Sequence, residues 1–442
     1  MALSSAELKE LRRDFPPLSR RRNGKPPIYL NNTCMTLRPR SVIAAITRYY
    51  EEFPTCGGGR TEGARRIDNW FMEELRGHED AARKSLQRLV GAERADELVW
   101  VRNTTEAMNV VARGFELRPG DRVLMSEREH NSSLVPWLEA ERRVREKAGD
   151  PGLPVVDVFD LAPDGSFDRA RALRQVVPGV KVVVVGQSSN LDGTTIPDAD
   201  LRALADAAHR VGAVLVVDGA QSVPHRRVDV RALGIDFLAF SLHKMCGPSG
   251  TGALYGRYDL LDALSPVTVG GDTVHDTWHD RVEYKHAPGR FEAGLQDYAA
   301  MLGTTAAVEY VVDRVGYDSI GEHEERLNRY LTERLTPLEN EHFWILGPKD
   351  PRRRGGVLTM TSPLGGVLNA IERIASEESN VMLRKGMFCV NAYLHERFDA
   401  TGTAKNNLRA SMYFYNTEEE LETLAKVVER VVKNPLDHMD DE

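Results

Sequence analysis

The chain has 442 residues, 41% hydrophobic and 28% charged, with 58 basic against 66 acidic side chains and a formal net charge of −8. That balance is ordinary for a folded globular chain and excludes a disordered or collagen-like one, and the acidic excess gives no general attraction to nucleic acid or anionic lipid. No run of eighteen apolar residues is present, so no membrane-spanning helix is expected.

The first segment, MALSSAELKELRRDFPPL, reads as a short amphipathic helix stopped by proline. It lacks the apolar core and cleavage site of a secretory signal. The basic runs Arg20–Arg22 and Arg352–Arg354 are short and read as solvated loop charges rather than a nucleic-acid surface. Four cysteines, Cys34, Cys56, Cys246 and Cys389, are scattered with no CxxC pair. No zinc or other metal site is therefore expected, and the pattern fits a reducing, cytoplasmic compartment.

From about Glu97, short apolar runs alternate with helical patterns. ELVWVR, DRVLMS, PVVDVFD, KVVVVGQ, AVLVVDGAQ, DFLAFS and GALYG read as seven strands, several apolar on both faces. Such strands separated by helices (Thr104–Phe115, Ser132–Lys147, Asp198–Val211) predict a buried, mainly parallel sheet with helices on both sides. After about residue 300 helices dominate: Tyr298–Val315, Ser319–Leu335, Val367–Ser376 and Thr417–Val432, with one strand-like stretch, GGVLTMTS. The last helix opens on Thr-x-x-Glu, a capping-box signature. These elements predict a smaller α+β domain.

In open α/β sheets the site lies beyond the carboxyl ends of the strands. After VWVR come Thr104 and Thr105 at a helix start, where free N–H groups can cap the helix or hold a phosphate. His130 follows DRVLMS, and Asn190 follows KVVVVGQ. Asp218 ends an apolar strand, where a carboxylate is costly without a cationic partner. A protonated pyridine nitrogen would be such a partner, and Gln221 offers donors for a ring oxygen. An ordinary helix cap is the other use for Asp218. One strand later, Ser241, His243 and Lys244 share a turn rich in Gly and Pro. A lysine in a partly dry site near other cations has a lowered pKa and can form a Schiff base.

With these residues in place, the chain resembles the class V group of fold-type I pyridoxal-5′-phosphate (PLP) enzymes, and most of all the cysteine desulfurase and selenocysteine lyase branch. The stretches that carry the resemblance are FPPLSRRRNGKPPIYLNN, ELVWVRNTTEAMNVVA, EREHNSSLVPW, SSNLDGT, VDGAQSVPHRRVDV, FSLHKMCGPSGTGALYG, RFEAG, RKGMFCVNA and LRASMYFYNTEEEL, nearly the whole chain. The resemblance implies an α/β fold with a large, mainly parallel seven-stranded PLP-binding domain over 31–300 and a smaller α+β domain over 301–442. A segment over 1–30 would pack with the small domain. It implies that Lys244 carries PLP as a Schiff base, that Asp218 pairs with the pyridine nitrogen and that Gln221 meets the ring oxygen. His130 would stack on the ring and relay protons, while Thr104, Thr105, Ser241 and His243 hold the phosphate. Asn190 and Arg409 would bind the substrate carboxylate.

Cys389 matches the position of the cysteine that takes sulfur in the desulfurases. The resemblance thus implies conversion of L-cysteine to L-alanine, with sulfur passing as a persulfide on Cys389 to an acceptor protein, in a homodimer. A buried thiol in a strand-like apolar segment is the plainer use for Cys389. Where relatives have histidines before this cysteine, Met387 and Phe388 stand; where they have a threonine after RFEAG, Leu295 stands, with Thr273 and Gln296 as nearby polar candidates. Cys34 replaces a small residue, and the relatives' early R-G-x-H motif is matched only by Arg60-Thr61-Glu62-Gly63. These departures leave open a related class V enzyme: a C–S lyase on a larger thioether, a selenocysteine lyase, or an aminotransferase or epimerase.

Overall fold

The computed structural model describes residues 3–57, 69–150 and 155–438, so Arg60–Gly63 lie outside the described residues. All seven expected strands form, in chain order β1 (Leu98–Val101), β2 (Arg122–Ser126), β3 (Val156–Phe159), β4 (Val180–Gly186), β5 (Val214–Asp218), β6 (Phe237–Ser241) and β7 (Gly252–Gly256). They make one sheet in the order β1-β7-β6-β5-β4-β2-β3. The pairings among β2, β3, β4, β5 and β6 are parallel, whereas β7 runs antiparallel to both of its neighbours.

The alternation of side chains along the strands explains why the sheet is apolar on both faces. Leu124, Val183, Val185, Leu215, Val217, Leu238 and Phe240 fill one core. Val123, Met125, Val182, Val184, Val216, Phe237 and Ala239 fill the other, beneath Met108, Val111 and Trp137 of the helices Thr104–Gly114 and Asn131–Ala148. Because the strands entering the sheet in parallel point the same way, their carboxyl ends gather along one edge, where the loops after β1, β2, β4, β5 and β6 meet.

The C-terminal α+β domain has a four-stranded antiparallel sheet, Trp344–Ile345, Val357–Thr361, Asn407–Ser411 and Arg384–Lys385 in that spatial order. Helices Tyr317–Leu335, Gly365–Ser379 and Glu418–Lys433 pack on it through Leu327, Leu331, Ile371, Ile374, Leu424 and Val428. The predicted capping box is present: Thr417 accepts from the Glu420 N–H, and the Glu420 carboxylate accepts from that of Thr417. The helix at Tyr298 turns α-helical to Val308 and then widens into a π-helical stretch over Glu309–Val315. The long helices Arg40–Glu52 and Trp70–Val90 are among the additions to the expected set. Among the described residues no helix is long and apolar enough to cross a membrane.

One expectation about the basic runs is corrected. Arg354 is 4% exposed, and its Nη2 donates to Thr332 Oγ1 at 2.6 Å, so it is a buried packing residue and not a solvated loop charge.

The N-terminal helix is Ser5–Arg13, closed by a capping box between Ser4 and Glu7. The chain then lays Ile28–Tyr29 parallel to Val381–Met382. Arg12 pairs with Glu420 at 2.7 Å. Phe15, 1% exposed, meets the rings of Tyr310, Phe414 and Tyr415 at centroid distances of 5.7, 5.9 and 4.7 Å. Phe15 therefore anchors the N-terminal segment to the C-terminal one. Phe15→Ala is expected to cost about 3–5 kcal/mol, the usual range for emptying a buried aromatic site, read as a lower denaturant midpoint with earlier proteolysis near the N-terminus. An unchanged midpoint would show that the segment contributes little to stability.

Candidate active site

The loops at the carboxyl edge of the sheet and two segments of the C-terminal domain enclose one cavity of about 300 Å³. Its walls include all eleven residues singled out in the sequence: Thr104, Thr105, His130, Asn190, Asp218, Gln221, Ser241, His243, Lys244, Cys389 and Arg409. Leu295, Thr273 and Gln296 are not among its lining residues. Leu295 is 74% exposed, and Thr273 spends its hydroxyl inside its own turn, donating to Gly270 O at 2.8 Å.

Each strand end delivers its residues by a short local device. Thr104 begins a helix capped by Asn103, and its N–H and hydroxyl both meet Ser241 Oγ, at 2.8 and 2.7 Å. Thr105 shares a hydrogen bond with Ser132 at 2.7 Å. These contacts tie the ends of β1, β2 and β6 together around a helix N-terminus, a place suited to an anion. His130 caps the next helix, its Nδ1 accepting from the Ser132 N–H at 3.0 Å. The neutral ring then carries its proton on Nε2. Burial lowers the His130 pKa to about 4, with Lys244, Arg409 and Arg384 adding to the effect against the pull of Asp218.

Asp218 is 7% exposed. Its carboxylate accepts from Ser133 Oγ and the Ala220 N–H, both at 2.9 Å, and it forms no ion pair among the described residues. No helix begins at it, the next being Val230–Leu233, so Asp218 is not a helix N-cap. Gln221 donates to Thr33 O at 2.9 Å and leaves its buried Oε1 without a partner among the described residues. Lys244 ends a single 3-10 turn after β6. Burial lowers its pKa; Asp218 opposes this and Arg409 adds to it. Burial and the charge of Lys244 likewise take His243 to about 4.

The C-terminal domain supplies the other wall. Arg409, 2% exposed, lies on the strand Asn407–Ser411 and donates from Nη1 to Asn190 O at 2.6 Å. Burial lowers its pKa to about 9, with the neighbouring Arg384 adding. Its guanidinium carbon sits 4.4 Å from the centroid of the Phe388 ring. Cys389 is exposed on a turn beyond Arg384–Lys385, not buried in a strand. Phe388 and Cys389 hold φ of +52° and +60°, the left-handed region that non-glycine residues enter at a cost. The turn is secured from the opposite wall, since Asn190 Nδ2 donates to Phe388 O at 2.8 Å and the Asn131 N–H to Cys389 O at 2.7 Å. Asn190 thus positions both the arginine and the thiol.

This fold, with a lysine, a strand-end aspartate and a helix-capping histidine around one cavity, is the architecture of fold-type I enzymes of class V. A family profile described as "Aminotransferase class-V" matches residues 28–424, and the chain belongs to that family, in its cysteine desulfurase group. It is 34% identical to the cysteine desulfurase of Haloferax volcanii over an alignment covering 96% of each chain. Among solved structures it is similar to the apo cysteine desulfurase of Thermococcus onnurineus NA1, with 30% identity, a TM-score of 0.83, and coverage of 98% of this chain and 100% of that one. It is also similar to the S-sulfonic acid form of the cysteine desulfurase CsdA from Escherichia coli, at 29% identity and a TM-score of 0.78, covering 96% of this chain and 98% of that one.

Among the residues not singled out in the sequence as site residues are Arg384 and Glu129, which line the cavity, and Ser133, which bonds Asp218 from behind it. Only Glu129 left a readable signal, as a second acidic residue crowded against His130 straight after an apolar strand. It is 4% exposed; Ser126 Oγ and the Gly186 N–H donate to its Oε1, and Oε2 has no partner among the described residues. Burial pushes its carboxyl from 4.5 up to about 7, with Asp218 adding. The folded chain therefore binds this proton more tightly than the unfolded chain, and stability falls as pH rises through that window. Across it, wild type is expected to lose roughly 3 kcal/mol more than Glu129→Gln, since each pH unit by which folding raises a pKa is worth about 1.4 kcal/mol. Urea unfolding of the cofactor-free protein at low and neutral pH measures the difference; equal losses would rule the carboxyl out as the source.

Proposed function

We propose that the protein is a PLP-dependent cysteine desulfurase, converting L-cysteine to L-alanine and passing sulfur on through Cys389. The carrying observation is a single cavity that holds an exposed thiol, Cys389, together with a buried arginine, Arg409, and a lysine of lowered pKa, Lys244.

The residues present suit PLP. The buried Asp218 carboxylate has no ion-pair partner among the described residues, as a partner for a pyridinium should, and Gln221, with a second amide N–H beyond the one given to Thr33 O, lies on the same wall. Lys244 would carry the cofactor, Asp218 would pair with its ring nitrogen, Gln221 would meet its ring oxygen and His130 would stack on the ring. Thr104, Thr105, Ser241 and His243 would hold the phosphate at the helix N-terminus. When bound, the group supplies an electron sink at the substrate α-carbon.

The remaining chemistry belongs to the chain's own side chains. Arg409 meets the substrate carboxylate with its planar fork, and Asn190 keeps that fork in place. Burial lowers the pKa of Lys244, which favours the neutral amine, the form able to take and return a proton at the α-carbon. His130, neutral above about pH 4, can hold a proton on Nε2 beside it. Cys389 Sγ attacks the substrate sulfur; an S–S bond forms, the Cβ–S bond breaks and the carbon takes a proton to become the methyl of alanine. The exposed position of Cys389 then lets an acceptor thiol or protein collect the sulfur.

The same reading makes the protein a cytoplasmic homodimer. It also divides the chain at 1–30, 31–300 and 301–442, a division supported by the pairing of Ile28–Tyr29 with Val381–Met382.

With L-cysteine and a reductant, wild type is expected to release alanine and sulfide in equal amounts. Cys389→Ser should lower turnover by roughly a thousandfold or more, as loss of a nucleophile does, while keeping the visible absorbance of the bound cofactor. Lys244→Ala should lose that absorbance. If Cys389→Ser retained turnover on another amino acid, a C–S lyase, selenocysteine lyase, aminotransferase or epimerase would replace the desulfurase.

A further inference from the structure

A second thiol lines the cavity, and the chemistry above leaves it unused. Cys34 lies half-buried in the loop after Ile28–Tyr29, among the same lining residues as Cys389. Its Sγ accepts a hydrogen bond from Arg384 Nη1 at 3.0 Å. Arg384 precedes the Cys389 turn by only a few residues and is paired in register with Arg409. Both thiols are near enough to Lys244 and Arg409 to act electrostatically on each.

The Cys34 loop is held on both sides. Thr33 gives its N–H and its hydroxyl to Ser411 Oγ, each at 3.1 Å, and its carbonyl accepts from Gln221 at 2.9 Å. The cavity also calls for an anionic occupant, since Arg409 Nε is buried with no partner among the described residues.

We infer that Cys34 is a resolving thiol for the sulfur carried on Cys389. The inference rests on the desulfurase function proposed above. Cys34 Sγ attacks Cys389 Sγ; the Cys34–Cys389 bond forms and the bond from Cys389 Sγ to the sulfane sulfur breaks. The sulfane sulfur leaves with that electron pair and the Cys34 proton as hydrosulfide. The two cysteine sulfurs are together oxidised by two electrons, and the sulfane sulfur is reduced by two. A dithiol reductant then restores both thiols by exchange. The device lets the site release its sulfur as hydrosulfide without a docked acceptor.

The test uses the PLP-loaded protein, one equivalent of L-cysteine per subunit, no added thiol, and an acid alkylating quench before peptide mass mapping without reduction. Wild type is expected to show alanine, a matching amount of hydrosulfide, and a peptide joining Cys34 to Cys389. In Cys34→Ser the hydrosulfide-to-alanine ratio is expected to fall on the order of tenfold, with the extra sulfur retained on the Cys389 peptide. Wild type that forms alanine but keeps the extra sulfur on Cys389, or moves it to Cys34, without the cross-link overturns this inference alone. Absence of alanine removes the desulfurase function and this inference with it.

Discussion

Asp218 and Lys244 are ionisable groups set at the ends of neighbouring strands in an otherwise apolar sheet, and most of the site's architecture compensates for that placement. A lone buried charge costs several kcal/mol even after relaxation. Asp218 is met by a hydroxyl from the helix at Asn131 and by a backbone N–H of its own turn. The parallel register that pairs Gly186 with Asp218 brings a strand end without a side chain beside it. Glu129 fills the adjacent space and bonds the Gly186 N–H. Compensation by protein groups is incomplete: among the described residues Asp218 has no ion-pair partner, and Gln221 and Glu129 each keep an oxygen unpartnered. Such a deficit suits a site that a polar ligand completes.

The two domains meet through this same site. Asn190, on the sheet side, binds Arg409 by its carbonyl and Phe388 by its amide, and Asn131 holds the carbonyl of Cys389. Loop closure of the Cys389 turn is thus fixed by polar contacts across the cavity and not by a local core. The cost of two residues at positive φ is carried by those contacts. The consequence is a thiol that is exposed yet oriented.

How much of this was legible follows from the range of the interactions involved. The seven strands could be read because burial on both faces leaves uninterrupted Val- and Leu-rich runs, and the last helix because Thr417 and Glu420 announce it. The antiparallel direction of β7 could not, since an apolar run has no polarity. Two-residue strands such as Trp344–Ile345 and Arg384–Lys385 are too short for any period to show. Residues that follow strand ends, from Thr104 to Lys244, were found because one topological rule places them. Arg384, Ser133 and the bond from Gly186 to Glu129 were not, because they enter through packing between segments distant in the chain. Arg354 shows the opposite failure: local composition read it as solvated, and helix Tyr317–Leu335 buries it.

The electrostatics of the C-terminal wall narrow what the cavity can accept. Arg384 and Arg409 are directly cross-strand partners, an arrangement of like charges that destabilises a sheet unless something intervenes. Here Arg384 turns to the Cys34 sulfur and Arg409 to a carbonyl and an aromatic face. None of those partners is a carboxylate, so among the described residues the buried Arg409 has no compensating negative charge. An anionic ligand gains from both guanidinium groups, whereas a cationic one meets them together with Lys244. On charge alone this wall of the cavity therefore favours an anionic ligand, and it is the same cavity that Cys34 and Cys389 line.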